Sequence, residues 1–222
     1  LAAQIRSLDA AQRSVQVGAS LAQTAEMGLK SIQEDLQRIR ELALGASNGT
    51  LGSEERKAIQ GEVDQVRAEI DRTATETEFN GRRLLEGSSG GTNAVQISSG
   101  IDGETVAVDV ADVRAAALGL DNVNVSSRGD AQRAISMIDA ASQQMIEARA
   151  KVSAQESALQ RVGNRLGTAA INEAAAEARI EGADIAAESA QRASAQIRTQ
   201  FATAVQAQQN QNRGSVLRLL EG

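Results

Sequence analysis

The sequence predicts a mainly α protein: an elongated, rod-like bundle of long, coiled-coil-like helices with a small β-hairpin between its N- and C-terminal helical parts. Three observations carry this. Apolar residues recur at intervals of seven through long stretches on both sides of the middle of the chain. Pro is absent, so nothing interrupts a long helix. Aromatics make up 1% of residues while 41% are hydrophobic, a composition that packs narrow aliphatic seams rather than a wide globular core.

The first helix is expected over 1–46. Val15, Ala22, Leu29, Leu36 and Ala43 are spaced by seven, Gly18, Ala25, Ile32 and Ile39 fill the positions three further on, and Leu8 and Ala11 extend the frame backwards. Lys30, Glu34, Asp35, Arg38, Arg40 and Glu41 lie between these stripes, so the helix needs partners on one side only. Ser47-Asn48-Gly49-Thr50 reads as its stop, with Gly49 expected to take the positive φ that closes a helix. Ser53 is then expected as the N-cap of a second helix, with Glu54 and Glu55 in the first turn where the dipole favours anions. Ile59, Val63, Val66 and Ile70 form its apolar face to about residue 75, and the short link makes the two helices antiparallel neighbours.

From Phe79 to Asn93 the signals change to Asn80-Gly81 and a Gly/Ser-rich run, which read as loop. Ala94-Val95-Gln96-Ile97 and Glu104-Thr105-Val106-Ala107-Val108-Asp109-Val110 alternate around Ser99-Gly100 and Asp102-Gly103, the pattern of a β-hairpin over about 94–110. Asn122-Val123-Asn124-Val125 reads as a third strand or as loop. The heptad resumes at Asp130, with Ile138, Met145, Val152, Leu159 and Leu166 seven apart and a polar companion stripe at Ser142, Arg149 and Glu156. Residues 130–166 as one helix would span roughly 55 Å. The Ala- and Gln-rich remainder has weak periodicity through Ile185, Ile197, Phe201 and Val205 and ends on Val216-Leu217-Arg218-Leu219-Leu220. It has no internal partner, and 179–222 is expected as a helical or disordered segment, disordered unless a partner helix is present.

Composition also narrows function. A net charge of −6 leaves no clustered cations for non-specific nucleic-acid binding. With no His and no Cys, the usual ligands for zinc, copper and haem are missing, and no cofactor is expected. No run approaches the ~20 apolar residues of a spanning helix, so membrane insertion is not expected. Catalysis has few candidate groups: Lys30, Lys57 and Lys151 each fall in a helical stretch, and no phosphate-binding loop is present. Asp109 and Asp112 lack calcium-loop spacing and read as a solvated edge. Aromatic platforms for sugar stacking, as a polysaccharide-binding adhesin would use, are not supplied by two Phe without Trp or Tyr.

Leu21-Ala22-Gln23-Thr24-Ala25-Glu26, Leu36-Gln37-Arg38-Ile39-Arg40-Glu41-Leu42-Ala43 and Ala46-Ser47-Asn48-Gly49-Thr50 together resemble the N-terminal region of bacterial flagellin. Glu78-Phe79-Asn80-Gly81, Leu118-Gly119-Leu120, Arg179-Ile180-Glu181-Gly182-Ala183-Asp184 and the Val216 to Leu220 ending are similar to later flagellin motifs, in the same order. Gly182 and Ile185 stand where relatives often carry Asp and Tyr, and only about 87–127 separates the helical halves, without large outer domains. The chain starts at Leu1, in mid-helix by pattern, and reads as a fragment lacking the family's first helix.

The resemblance implies a structural subunit that self-assembles into the secreted, extracellular flagellar filament for motility, with 1–178 as the inner rod domain and 179–222 as the C-terminal part of the channel-lining domain. It implies as partners other copies of the chain, an export chaperone, the hook-associated and cap proteins, and Toll-like receptor 5. By motif match the receptor surface falls on Gln37, Arg38 and Leu42 of the first helix and Glu62 of the second. Arg38 and Leu42 are one turn apart and share a helix face, read as an Arg beside an exposed Leu. Assembly and chaperone binding fall on Ile197, Phe201, Val205, Leu217, Leu219 and Leu220, which gain burial only from other chains, at ~25 cal/mol per Å² of apolar surface. The related hook–filament junction protein and a surface adhesin on the same fold are the alternatives.

Overall fold

The computed structural model describes residues 2–87, 94–98, 100 and 105–220, and for 215–220 the description is of the helical backbone. The chain divides into two compact units: Arg6–Ala170, and a second that joins Leu1–Ile5 with Ile171–Gly222. In order, the elements are α1 (Ala2–Ala46), α2 (Ser53–Glu76), β1 (Glu78–Phe79), β2 (Arg82–Arg83), β3 (Val95–Ser98), β4 (Thr105–Val108) and α3 (Arg128–Leu220).

In the Arg6–Ala170 unit the core is the seam predicted from the heptads. Leu29, Ile32, Leu36 and Ile39 of α1, Val63 and Ile70 of α2, and Ile138, Met145, Val152 and Leu159 of α3 are all buried. Contacts run Gln12–Gly167 and Val15–Gly163, Gln23–Glu156, Glu26–Arg149 and Arg40–Asp139. Positions on α3 fall as those on α1 rise, so the two helices are antiparallel.

The turn between α1 and α2 closes differently from expectation. Gly49 is not among the positive-φ residues. Asn48 makes the turn instead: its Oδ1 accepts the Thr50 backbone N–H and the Thr50 hydroxyl, both at 3.1 Å. Arg56 reaches back from α2 and donates to the carbonyls of Ala46 and Asn48, both at 2.9 Å, so a cation satisfies the free end of α1. The N-cap of α2 is Gly52, extended at φ −79 and ψ 178 with no side-chain cap, and Ser53 is already helical.

Two hairpins follow. The stretch read as loop at Phe79 to Asn93 contains one of them: β1 and β2 pair Phe79 with Arg82, and Asn80 and Gly81 turn at φ 52 and 73, the two-residue turn that Asn-Gly favours. Residues 88–93 of that stretch lie outside the described residues. β3 and β4 pair Val95 with Val108 and Ile97 with Val106, which confirms the predicted second hairpin within narrower limits, Val95–Ser98 and Thr105–Val108. Ile97 and Val108 face the core while Gln96 accepts the Thr105 hydroxyl on the other face. Its connecting Asp102-Gly103 lies outside the described residues.

The return to α3 is loop, without a third strand at Asn122 to Val125. Side chains of α2 hold it. Asp71 accepts the Ala115 N–H at 2.8 Å, and Gln60 accepts the Val125 N–H at 2.7 Å. Ser127 caps α3, its hydroxyl accepting the Asp130 N–H at 3.1 Å and donating to the Asp130 carboxylate.

In the second unit, α3 continues as helix to Leu220. Ala, Gln, Glu and Arg are strong helix formers and no Pro interrupts them, so local propensity sustains the backbone there without a buried face.

Candidate interaction surfaces

Arg38 lies on the outward face of α1 and Glu62 on the facing side of α2. Arg38 Nη2 stands 3.6 Å from Glu62 Oε2, and its Nη1 stands 3.9 Å from Glu41 Oε2. Arg38 and Glu62 are 58% and 55% exposed, so the pair is a solvated bridge contributing at most about 1 kcal/mol to stability. Gln37 is exposed beside them. Leu42 departs from expectation: it is half-buried and packs against the core. The exposed aliphatic of this region is Leu44, 45% exposed, which periodicity did not single out. The four residues assigned by motif thus divide into a charged pair, an exposed amide and a leucine engaged in packing.

Behind this face Asp35 sits between α1 and α2 with a buried oxygen that has no hydrogen-bond partner. Burial, then the neighbouring Glu69 and Glu34, raise its pKa. Asp109 and Asp112, read as a solvated edge, are both paired: Lys151 Nζ donates to Asp109 at 2.6 Å, and Arg114 to Asp112 at 2.6 Å. Among the described residues no cluster of acidic side chains could hold a metal ion, and no helix is long and apolar enough to cross a membrane.

On α3, Ile197, Phe201 and Val205 are 64%, 72% and 45% exposed. They are four residues apart, so they form one ridge along the helix. Ile185 and Ile180 are exposed as well, as is Ile171, which sequence reasoning missed because no partner spacing marks it. The side chains of Leu217, Leu219 and Leu220 lie outside the described residues.

The two helical parts of the chain match two family descriptions: residues 1–90 match the bacterial flagellin N-terminal helical region and 135–220 the C-terminal helical region. Flagellin FlaB2 of Treponema pallidum is 37% identical, across 98% of this chain and 81% of its own length. The chain belongs to the bacterial flagellin family. Flagellin of Halalkalibacterium halodurans is 36% identical over 98% of this chain and 80% of its own. The crystal structure of Bacillus cereus flagellin superposes with a TM-score of 0.63 at 31% identity, covering 74% of this chain and 94% of that one. A hook-associated protein from Vibrio parahaemolyticus has the same TM-score at 14% identity, which shows a shared fold. As a family member this chain is a structural subunit of the bacterial flagellar filament, a self-assembled polymer outside the cell.

Proposed function

We propose that this flagellin-family subunit works through two surfaces. The ridge of Ile197, Phe201 and Val205, together with the sequence positions Leu217, Leu219 and Leu220, packs against neighbouring subunits in the filament and binds an export chaperone before secretion. The face around Arg38 and Glu62, with Gln37 and Leu42, is the surface read by Toll-like receptor 5. Residues 1–178 form the inner rod domain, 179–222 belong to the channel-lining domain, and hook-associated and cap proteins meet the ends of the polymer.

The observation that carries the assembly reading is the exposed ridge itself. Large apolar side chains at 64% and 72% exposure cost free energy in water that burial against another chain recovers. Head-to-tail contacts that do not close into a ring generate helical polymers. Seeded growth tests this: the chain, and the chain extended by a family N-terminal helix, are added to short filaments and elongation is followed by sedimentation and electron microscopy. Elongation by the extended chain supports the reading, and failure of both to elongate while remaining folded sinks it. For the receptor face, a reporter assay compares the parent with Arg38→Ala/Glu62→Ala. An active parent and an equally active double variant would remove the proposal.

A further inference from the structure

We infer that Arg149 is the residue that sets the axial register of α3 against α1 in the Arg6–Ala170 unit. The apolar seam between these helices repeats every seven residues on both sides. Val15, Ala22, Leu29, Leu36 and Ala43 face Ile138, Met145, Val152, Leu159 and Leu166, all aliphatic apart from one Met. Sliding one helix by a heptad, roughly 10 Å, places aliphatic residues opposite aliphatic residues again. Burial of the stripes therefore discriminates weakly between the native register and a slipped one.

The companion stripe of α3 is not repetitive. It reads Ser142, Arg149, Glu156, Gly163, and only Arg149 is a cation. Its guanidinium bridges two positions of α1 that are themselves a heptad apart. Nε and Nη2 donate to Glu26 Oε1 at 2.9 and 2.6 Å, and Nη1 donates to Gln33 Oε1. With side chains 34% and 26% exposed, Arg149 and Glu26 form a less exposed charge pair than Arg40–Asp139, which is 44% and 51% exposed. The second Glu26 oxygen is buried with no partner, so the carboxylate depends on Arg149. A slip of one heptad in one direction brings Ser142 to the place of Arg149 and moves Arg149 to between Ala19 and Glu26, where it loses Gln33. In the other direction it brings Glu156 opposite Glu26, a like-charge contact. The second slip breaks a half-buried ion pair and the first costs the hydrogen bond to Gln33, and these penalties supply the discrimination the stripes lack. The register also places Lys151 and Gln155 of α3 against Asp109 at the exit of β4, so the pin positions the second hairpin.

The chain has no Cys, so introduced pairs report register directly. A Cβ at Gly163 would lie 3.5 Å from Val15 Cγ1, an ordinary contact, so Gly163→Cys with Val15→Cys traps the native register. Gly163→Cys with Leu8→Cys or with Ala22→Cys traps a slip of one heptad either way. Oxidative cross-linking is compared in the parent, in Arg149→Leu, in Arg149→Gln and in the charge swap Glu26→Arg/Arg149→Glu. The expected result is the native cross-link alone in the parent, a native-to-slipped ratio roughly tenfold lower in both Arg149 variants, and recovery of the parent ratio in the swap. If the ion pair merely stabilised the fold, its loss would lower the melting temperature and leave the ratio unchanged. Native cross-linking alone in either Arg149 variant overturns the proposal, including the case in which Arg149→Leu fails to fold and Arg149→Gln keeps the parent ratio.

Discussion

Ile97 of β3 lies so close to Gly18 of α1 that a Cβ at Gly18 would stand 2.8 Å from Ile97 Cγ1. The glycine is a notch that seats the second hairpin on the helix. Gly18→Val gains a few tenths of a kcal/mol of helix propensity and loses more to overpacking, a net cost of about 2 kcal/mol. Gly61 in α2 is the contrast, with nothing within 4 Å of its Cβ position. Gly61→Ala is expected to stabilise by up to about 1 kcal/mol. Urea unfolding of the two variants should move the midpoint in opposite directions.

Asp35 predicts a pH effect. Its folded-state pKa is raised, by burial first and then by Glu69 and Glu34. A carboxyl of this kind contributes stability below its unfolded-state pKa and loses it as pH rises through the folded-state value. Asp35→Asn is therefore expected to raise the melting temperature at neutral pH, and the gain should shrink as pH falls toward 4. A variant less stable than the parent at neutral pH contradicts the assignment.

Asp130 works in the opposite sense. Its hydrogen bonds from Ser127, and then from Arg133, outweigh its desolvation and lower its pKa. Stability from this group is present above the unfolded-state pKa and is lost as pH falls through the folded-state value. Ser127→Ala removes the cap of α3 and is expected to cost about 1 kcal/mol. Amide exchange should quicken in the first turn of α3.

Phe201 is 72% exposed, so its substitution should leave the folding of an isolated chain untouched while disabling assembly. Phe201→Asp is expected to keep the parent helicity and melting temperature and to fail in seeded growth. A variant that elongates filaments at the parent rate removes the ridge from the assembly interface.

Much of this architecture was legible in the sequence. Leu29, Leu36, Ile138 and Met145 were placed in the core by spacing alone, because a helix buries whichever residues recur on its facing side. The second hairpin followed from alternation at Val95 to Ile97 and Thr105 to Val108. The first hairpin was missed because Glu78, Arg82 and Arg83 flank Asn80-Gly81 with charge, where apolar alternation is the usual cue. Gly49 misled because Asn48 and Arg56 closed the helix by side-chain hydrogen bonds instead. Leu42 lies off the heptad seam, so the pattern of α1 alone reads it as exposed, whereas packing against the assembled core half-buries it.

The sequence by itself determined α1, α2, the first part of α3, the seam they bury and the family, since these depend on residue type and on spacing within a few turns. Only the tertiary structure decided which polar residues meet. Arg149 finds Glu26 at a separation of 123 residues, and Asp71 finds the Ala115 N–H at a separation of 44. The physical reason is range: hydrophobic periodicity is written into each segment, whereas a hydrogen bond needs a donor and an acceptor brought within about 3 Å, and that distance exists only once the segments have packed.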